Sequence, residues 1–158
     1  MNDLPEFSRV RRSPRQAQRT YDRLSRSYDW LSARSERPYK MAGLALLDPQ
    51  PGEVILEIGC GTGEMLAQIN HSVQPAGFGI GLDLSRGMLR MSIRRMLAAG
   101  TSAPLLMADM LQIPLAPASV DAVFASFAVE LVDTPLIAGL LAELRRVLKP
   151  GSRMVVVA

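Results

Sequence analysis

Short apolar runs alternate along the chain with longer stretches of mixed polarity. Five of these runs are rich in β-branched or other apolar residues and predict β-strands at 54–58, 78–82, 103–108, 122–125 and 153–158. Between the strands, apolar residues recur every three or four positions, which predicts helices, with the clearest pattern over 135–148. Alternating strands and helices of this kind predict a doubly wound α/β sheet, mostly parallel, with helices on both faces.

The chain ahead of the first strand differs in composition from the rest and contains no predicted strand. Residues 1–19 are polar, rich in arginine and interrupted by prolines, which predicts a flexible leader. Tyrosines and leucines recur at helical spacing over 21–31, and 41–47 reads as a second helix, so 20–47 is predicted to form a helical N-terminal cap. The α/β domain is predicted to occupy 48–158.

The first strand runs directly into a loop with three closely spaced glycines. Val54–Ile58 is followed by Gly59, Gly61 and Gly63, and a helix is predicted to begin at the next residue. Glycines let the backbone turn through conformations that a Cβ forbids, and they leave no side chains between the main chain and a ligand. The free N–H groups of the following helix would also point at that ligand. The loop is therefore the primary candidate binding site.

A dinucleotide-binding loop is the first alternative, because its G-x-G-x-x-G pattern also follows a strand. Counted from Gly59, the third glycine would fall at Glu64. A carboxylate is a poor neighbour for a pyrophosphate, since both are negative and a helix end carries only about half a unit of positive charge. With Glu57 just before the loop as well, a ligand with a cationic portion fits better.

The segment from Glu57 to Gly63, EIGCGTG, resembles the first motif of the class I S-adenosylmethionine-dependent methyltransferases, (L/V)(D/E)xGxGxG. The resemblance is closest to the quinone-biosynthesis methyltransferases. It implies S-adenosyl-L-methionine as cofactor, contacted by Glu57, Thr62 and the loop glycines. It also implies seven strands in the order 3-2-1-4-5-7-6, of which five are visible here in the order 3-2-1-4-5.

Asp83 stands at the end of the second predicted strand. A carboxylate there can accept hydrogen bonds from two ribose hydroxyls, although an acid that simply precedes a helix would fit the same position. The segment DLSRGML, from Asp83 to Leu89, is similar to the family's DxSxxML pattern. The resemblance places Leu84 and Met88 beside the cofactor, with Met88 against adenine. Met88 is equally suited to the hydrophobic core.

The resemblance assigns four further cofactor contacts. Asp109 would bond the adenine amino group, and Met110 would contact the ring through its main chain. Ser126 matches a contact position at the end of the fourth strand, and Tyr28 would be a lid residue in the N-terminal cap. An aromatic ring is also a favourable neighbour for a sulfonium cation.

No residue emerges as a catalytic nucleophile, base or metal ligand. His71 is the only histidine and falls at a polar helix end, and Cys60 has no second ligand nearby, so no metal site is predicted. Glu130 and Asp133 lie on the expected acceptor side, where a solvated carboxylate is the alternative. Methyl transfer from a sulfonium needs alignment and exclusion of water more than a nucleophile.

Charge is unevenly distributed along the chain. The net charge is +3, but residues 1–40 hold ten basic and five acidic groups, whereas residues 41–158 hold eight basic and ten acidic groups. The arm is either a solvated leader or a contact for nucleic acid or anionic lipid headgroups. The absence of a long apolar run, of a signal peptide and of a second cysteine favours a cytoplasmic protein.

The predicted function is methyl transfer to a small aromatic, quinol-like or lipid-like acceptor. One alternative is a non-catalytic cofactor-binding fragment or partner subunit, because the run 154–157 would leave a bare apolar strand at the sheet edge unless the chain continues or an oligomer covers it. Another is a nucleic-acid methyltransferase that uses the arginine-rich arm, although SFAVEL stands where amino-directed enzymes carry an Asn/Asp-Pro-Pro-Tyr motif. Nicotinamide-dependent oxidoreduction is the remotest alternative.

Overall fold

The computed structural model describes residues 28–158, with side chains from residue 35 onward. The predicted leader, 1–19, and the first part of the cap lie outside the described residues. Five strands are present: β1 (Val54–Ile58), β2 (Phe78–Asp83), β3 (Leu105–Met107), β4 (Val120–Ser126) and β5 (Leu148–Val157). The helices are α1 (Tyr28–Leu47), α2 (Glu64–Val73), α3 (Arg86–Ala98) and α4 (Ile137–Val147), with two short 3-10 turns at Val129–Leu131 and Thr134–Leu136.

The strands form one sheet in the order β3-β2-β1-β4-β5, and every strand pair is parallel. At the centre, Ile58 of β1 pairs with Leu82 of β2 on one side and with Ala125 of β4 on the other. The predicted fold class and strand order are therefore confirmed. In such a sheet the carboxyl ends of all strands meet at one edge, where ligands bind.

Helices cover both faces of the sheet, because the central strands are apolar on both sides. On the first face, α1 and α2 pack on β1, β4 and β5 around a buried cluster of Leu44, Leu47, Ile55, Met65, Ile69, Val73, Ala122 and Phe124. On the second face, α4 and the loop after β3 cover a larger cluster that includes Leu56, Ile58, Leu82, Val123, Leu140, Leu144 and Val147. Leu66 and Ala67 of α2 join Met96 of α3 in a third cluster.

Two glycines in β2 let α2 approach the sheet closely. A Cβ at Gly79 would meet Leu66 and Asn70, and one at Gly81 would lie 2.7 Å from side-chain atoms of Leu66 and Leu105. This close approach also allows Asn70 to bond to the main chain: its Oδ1 accepts the Gly79 N–H, and its Nδ2 donates to the Ser102 carbonyl. The second half of α2 is thereby held against the start of β2, and Leu66 in its first half packs on Gly81.

The structure corrects the predicted element boundaries in several places. The break predicted between two cap helices is wrong, since α1 runs unbroken through Pro38 to Leu47. The third strand is shorter than predicted, and the last helix begins two residues later, after a 3-10 turn that contains Pro135. β5 begins earlier than predicted, because Leu148 pairs with Val120 before a register shift restores regular pairing from Arg153.

Arg153 attaches the end of α1 to β5. Its guanidinium donates to the carbonyls of Leu47 and Asp48 and forms a two-armed ion pair with Glu53. Asp48 adopts a left-handed backbone with φ 51°, which turns the chain out of the helix. Within residues 28–158, no helix is both long and apolar enough to span a membrane.

Candidate functional site

The glycine loop connects β1 to α2 as the sequence predicts, and each glycine has a positive φ. The φ values are 64° at Gly59, 51° at Gly61 and 77° at Gly63. A Cβ at Gly59 would lie 2.5 Å from the Ala128 Cβ, and one at Gly63 would collide with Ser92. A Cβ at Gly61 would meet nothing closer than 3.9 Å. Gly59 and Gly63 therefore fit the loop into the fold, whereas Gly61 faces open space.

Asp83 ties this loop to the end of β2. Its Oδ2 accepts the Gly61 N–H at 2.9 Å, and its Oδ1 accepts the Ser85 N–H at 2.8 Å. The Cys60 N–H also donates to the Leu82 carbonyl, so loop and strand end are joined twice. The half-buried Asp83 carboxylate therefore lies directly beside the glycine loop, where the sequence analysis placed the ribose of a nucleoside.

Glu57 is the deeply buried acid of the site. It is the last residue but one of β1 and pairs with Gly81 on one side and Phe124 on the other. Only 2% of its surface is exposed, and its Oε2 has no hydrogen-bond partner among the described residues. The pKa of Glu57 is raised to about 8, chiefly by burial; Lys40 lowers it, and the charges of Asp83 and Glu64 contribute smaller increases. An uncompensated buried carboxyl group is costly, so a cationic ligand group would satisfy it.

Helix α1 brings two cations to the carboxyl edge of the sheet. Lys40 forms an ion pair with Glu36 at 2.8 Å, and its Nζ lies 5.6 Å from the centre of the Phe127 ring. Arg37 pairs with Glu64, the first residue of α2, at 3.0 Å. Gly43 permits this placement, since a Cβ there would collide with Val157 and approach Phe124. Both cations thus lie next to the glycine loop and the end of β4.

The remaining predicted contacts lie along the same edge. Ser126 ends β4 and is buried, and Phe127 follows it with φ 51° and donates its N–H to the Val157 carbonyl. Ala108 donates to the Asp83 carbonyl, which places the loop of Asp109 and Met110 beside the end of β2. Asp109 Oδ1 accepts the Leu111 N–H in a tight turn.

Three other residues that the sequence predicts to contact the cofactor differ in how exposed their side chains are. Met88 is 2% exposed in the first turn of α3, where the Ser85 hydroxyl caps the helix by accepting the Met88 N–H, so its side chain belongs to the core. Thr62 and Leu84 are half-buried in the two loops. Tyr28 begins α1, but its side chain lies outside the described part of the chain, so its lid role stays a prediction.

The other polar candidates do not form a common catalytic or metal-binding group within the described residues. Burial raises the pKa of the Cys60 thiol, which keeps it protonated at neutral pH, and His71 is exposed at the end of α2. Burial also raises the pKa of Glu130, with a contribution from Glu36, and the Oδ1 of Asp133 is buried without a partner among residues 35–158. Over that same range, no group of three or more His, Cys, Asp or Glu residues is arranged to hold a metal ion.

A groove of about 470 Å³ lies elsewhere on the molecule. It is formed by α4 and the beginning of β5, with Leu141, Leu144, Leu148 and Met154 among its lining residues. It shares no residue with the glycine loop or with the carboxyl edge of the sheet. The groove is therefore separate from the candidate site.

Lys40 and Arg37 are the residues of this site that the sequence analysis missed. Their spacing from Glu36 and from each other is that of an ordinary solvated helix face. The signal that could have found them is Gly43, one turn after Lys40, because a small residue on a helix marks a close approach to another element. Which element it approaches depends on the tertiary fold.

Comparisons with known proteins agree on one family. The profile described as "Methyltransferase domain" matches residues 55–151. The demethylmenaquinone methyltransferase of Corynebacterium kroppenstedtii is 32% identical over 152 residues, which cover 93% of this chain and 61% of that protein. The ubiquinone/menaquinone biosynthesis C-methyltransferase UbiE of Burkholderia multivorans is 33% identical over 128 residues, covering 81% of this chain and 52% of that protein.

The fold also matches a solved structure, phosphoethanolamine N-methyltransferase 1 of Haemonchus contortus in complex with phosphoethanolamine and S-adenosylhomocysteine. The TM-score is 0.77 at 16% identity, over 90% of this chain and 32% of that chain. The matched segments span only 34% to 61% of the length of the first three curated relatives.

Proposed function

The chain belongs to the methyltransferase-domain family, and from this premise we propose that it binds S-adenosylmethionine at the Gly59–Gly63 loop and transfers a methyl group to a small aromatic, quinol-like or lipid-like acceptor. The resemblance to class I S-adenosylmethionine-dependent methyltransferases is confirmed by the family match and the relatives. The observation that carries the proposal is the 2.9 Å hydrogen bond from Gly61 to Asp83. This bond places the open main chain of the glycine loop directly beside the Asp83 carboxylate at the carboxyl edge of the sheet.

The residues present suit the two ends of this cofactor. Glu57 offers a buried carboxyl oxygen without a partner in the described chain, which suits the ammonium of the amino-acid end. Asp83 suits the ribose, since each carboxylate oxygen can accept more than one hydrogen bond. Asp109, the Met110 main chain, Leu84 and the first turn of α3 are proposed to surround the adenine.

When bound, S-adenosylmethionine supplies a methyl group already activated on a sulfonium. The chain's own contribution is alignment, because a displacement in line needs the acceptor atom within about 3–3.5 Å of the methyl carbon. Ser126 and Phe127 at the end of β4, and Lys40 on α1, border the side from which an acceptor would approach. We also propose that α1, whose Lys40 and Arg37 lie beside this edge, limits the access of water to the bound cofactor, which would strengthen the charge interactions there.

The acceptor class is supported by the relatives. Two of them are named for methylation in menaquinone or ubiquinone biosynthesis, and they align over 93% and 81% of this chain. A quinol-like ring is aromatic and apolar, and the described edge provides the Phe127 ring together with Ser126 for such a molecule. The proposed acceptor is therefore a quinol or a similarly hydrophobic ring compound.

The first test is calorimetric titration with S-adenosylhomocysteine. Wild type is expected to bind one molecule, and Asp83→Ala is expected to weaken binding about a hundredfold or more, because two charge-assisted hydrogen bonds are lost. Asp121→Ala is the matched control, since this acid lies at the start of β4 and pairs with Lys149 instead. The control should lose stability but retain affinity. Equal affinity of Asp83→Ala and wild type would contradict the ribose assignment.

The second test separates catalysis from mere binding. The chain and S-adenosylmethionine are incubated with a reduced demethylmenaquinone analogue, and S-adenosylhomocysteine release is followed by mass spectrometry. Release that requires the analogue would support methyl transfer to a quinol-like acceptor. Tight cofactor binding with no release on any aromatic acceptor would favour the alternative of a non-catalytic cofactor-binding fragment.

A further inference from the structure

The outward side of α3 combines arginines with exposed aliphatic side chains. Its inward side holds Met88, Leu89, Ser92 and Met96, all buried. The opposite side, called here the α3 outer face, consists of Arg86, Arg90, Ile93, Arg94 and Leu97. These five positions fall at helical spacing within a face about 100° wide. Ile93 is 48% exposed and Leu97 is 71% exposed, so two large aliphatic side chains lie among three arginines in water.

The positive charge of this face is not neutralised within the described residues. α3 carries four arginines and no Asp or Glu. Elsewhere in the α/β domain, Arg146, Lys149 and Arg153 are paired with Glu143, Asp121 and Glu53. By contrast, Arg86, Arg90 and Arg94 form no ion pair or side-chain hydrogen bond with any residue from 35 to 158. Three such cations on one side of one helix give this face a positive field that is complementary to an anionic partner.

The apolar residues on the face decide which kind of anionic partner fits. Single-stranded nucleic acid is typically bound by basic residues together with aromatic side chains that stack on bases, and α3 contains no aromatic residue. The phosphates of a duplex would contact the arginines but would leave Ile93 and Leu97 in water. Aliphatic side chains flanked by arginines match an interfacial helix instead, whose apolar residues enter the acyl boundary while the arginine stems extend to the headgroups. Each basic residue close to an anionic bilayer adds to the attraction.

We propose that the α3 outer face docks on the surface of a bilayer containing anionic lipids. The helix lies flat on that surface, with Ile93 and Leu97 entering the headgroup region and Arg86, Arg90 and Arg94 contacting lipid phosphates. This contact is distinct from the arginine-rich N-terminal arm and does not depend on cofactor binding or on the identity of the acceptor.

The test is cosedimentation of the full chain with vesicles of equal parts phosphatidylglycerol and phosphatidylcholine, compared with phosphatidylcholine alone. Arg94→Glu is expected to weaken partitioning about tenfold or more, because it replaces an attractive charge with a repulsive one. Arg145→Glu makes the same charge change on exposed α4 and should stay within about twofold of wild type. Leu97→Ser should weaken binding several-fold, whereas Leu141→Ser, an exposed leucine of α4, should not.

The paired substitutions on α3 and α4 distinguish docking of the α3 outer face from binding through the N-terminal arm or through net charge alone. If only the N-terminal arm bound lipid, the α3 variants would partition like wild type, and the proposal would be overturned. Equal losses for Arg94→Glu and Arg145→Glu would attribute binding to net charge and would overturn it as well. So would a preference for RNA over vesicles that is insensitive to Leu97→Ser. Circular dichroism melts of the four variants verify that each remains folded.

Discussion

Gly61 and Gly63 share a left-handed backbone but have different neighbours. Gly63 is enclosed by Ser92 of α3, so a side chain there would disturb the packing of two helices. Gly61 has open space on its Cβ side and donates its N–H to Asp83. At the residue scale, we therefore propose that Gly61 is required mainly by the cofactor, whereas Gly63 is required by the packing of α2 on α3.

Gly61→Ala tests this distinction. We expect a stability loss of about 1 kcal/mol from the left-handed backbone, but a fall of at least tenfold in S-adenosylhomocysteine affinity, because the new methyl group occupies the cradle. Gly100→Ala is the matched control, since Gly100 has φ 68° and nothing within 4 Å of its Cβ position. It should lose similar stability with unchanged affinity. Comparable affinity losses in both variants would contradict a ligand at Gly61.

Glu57 gives a prediction about pH. Burial raises the pKa of Glu57 to about 8 in the folded protein, against 4.5 as its ordinary value. Between these values the unfolded chain releases the proton while the folded protein keeps it. Stability without cofactor should therefore be fully present below about pH 4.5 and fall as the pH rises to about 8, by up to about 1.4 kcal/mol per pH unit.

Urea unfolding at a series of pH values measures this slope, and Glu57→Gln should remove it. Glu53 provides a contrast of opposite sign, because the Arg153 guanidinium holds the pKa of that carboxyl below its ordinary value. Its stabilisation is present above about pH 4.5 and is lost as the pH falls through the lowered pKa. A slope that persists unchanged in Glu57→Gln would show that another group titrates.

At the scale of the element, α1 brings cations to a sheet edge whose other charged residues in the described site, Glu57, Asp83 and Asp109, are acids. Its last turns are fixed to β5 by Arg153 and by the close packing of Gly43 on Val157 and Phe124. This anchoring positions Lys40 over Phe127 and within the field of Glu57. An acid and a base side by side are complementary to the zwitterionic end of an amino acid.

Lys40→Met should therefore weaken S-adenosylhomocysteine binding about tenfold or more, through loss of a charged partner for the carboxylate. Binding of 5′-methylthioadenosine, which lacks the amino-acid end, should not change. Arg37→Met is the control, since it removes a cation three residues earlier that pairs with Glu64 instead. Isothermal titration of the three proteins with both ligands gives the comparison. A parallel loss for both ligands would mean that Lys40 acts only on the fold.

Much of the fold was predictable from local pattern. The apolar runs identified every strand of the described sheet. The cap of α3 is also local, because a serine just before a helix can accept an N–H of the first turn, as Ser85 does with Met88. The unbroken α1 was not predictable, since Pro38 normally disfavours a helix interior and only packing of the later turns compensates for it. The early start of β5 was missed because Lys149, Pro150 and Gly151 read as a turn.

The candidate site was predictable to the extent that it is local in sequence. The glycine loop and Asp83 carry their own signals, because strand, glycines and acid follow one another at recognisable spacing. Lys40 carries none, since its role depends on α1 folding back over β4, whose residues are far along the chain. Glu57 could be recognised in the sequence as an acid within an apolar strand. That its Oε2 has no hydrogen-bond partner among the described residues is evident only from the packing.

At the scale of the whole molecule, the two edges of the described sheet differ in length. β3 has three residues, whereas β5 has ten and exposes Met154 by 37% and Val156 by 43%. These two side chains lie on the same side of the sheet as the groove beside α4. A long strand edge with apolar neighbours is a site for pairing with a further strand or with another copy of the chain.

Met154→Lys should reduce self-association at high protein concentration, because a charge on the edge opposes pairing. Sedimentation velocity over a range of concentrations measures the effect. Met107→Lys, on the short opposite edge where Met107 is 60% exposed, should leave the association state of wild type unchanged. Equal effects of the two substitutions would point to general charge repulsion, and no self-association in wild type would contradict the prediction.

The position of β1 has a consequence for how this polypeptide is made. Its neighbours are β2, which follows it closely in sequence, and β4, which does not begin until Val120. Synthesis proceeds from the N-terminus, and distant strand pairing is slow because a long loop has to close first. When the chain has emerged from the ribosome only as far as the end of α3, β1 can pair with β2 but its other flank has no partner, and that flank is open to a chaperone or to a mispairing segment.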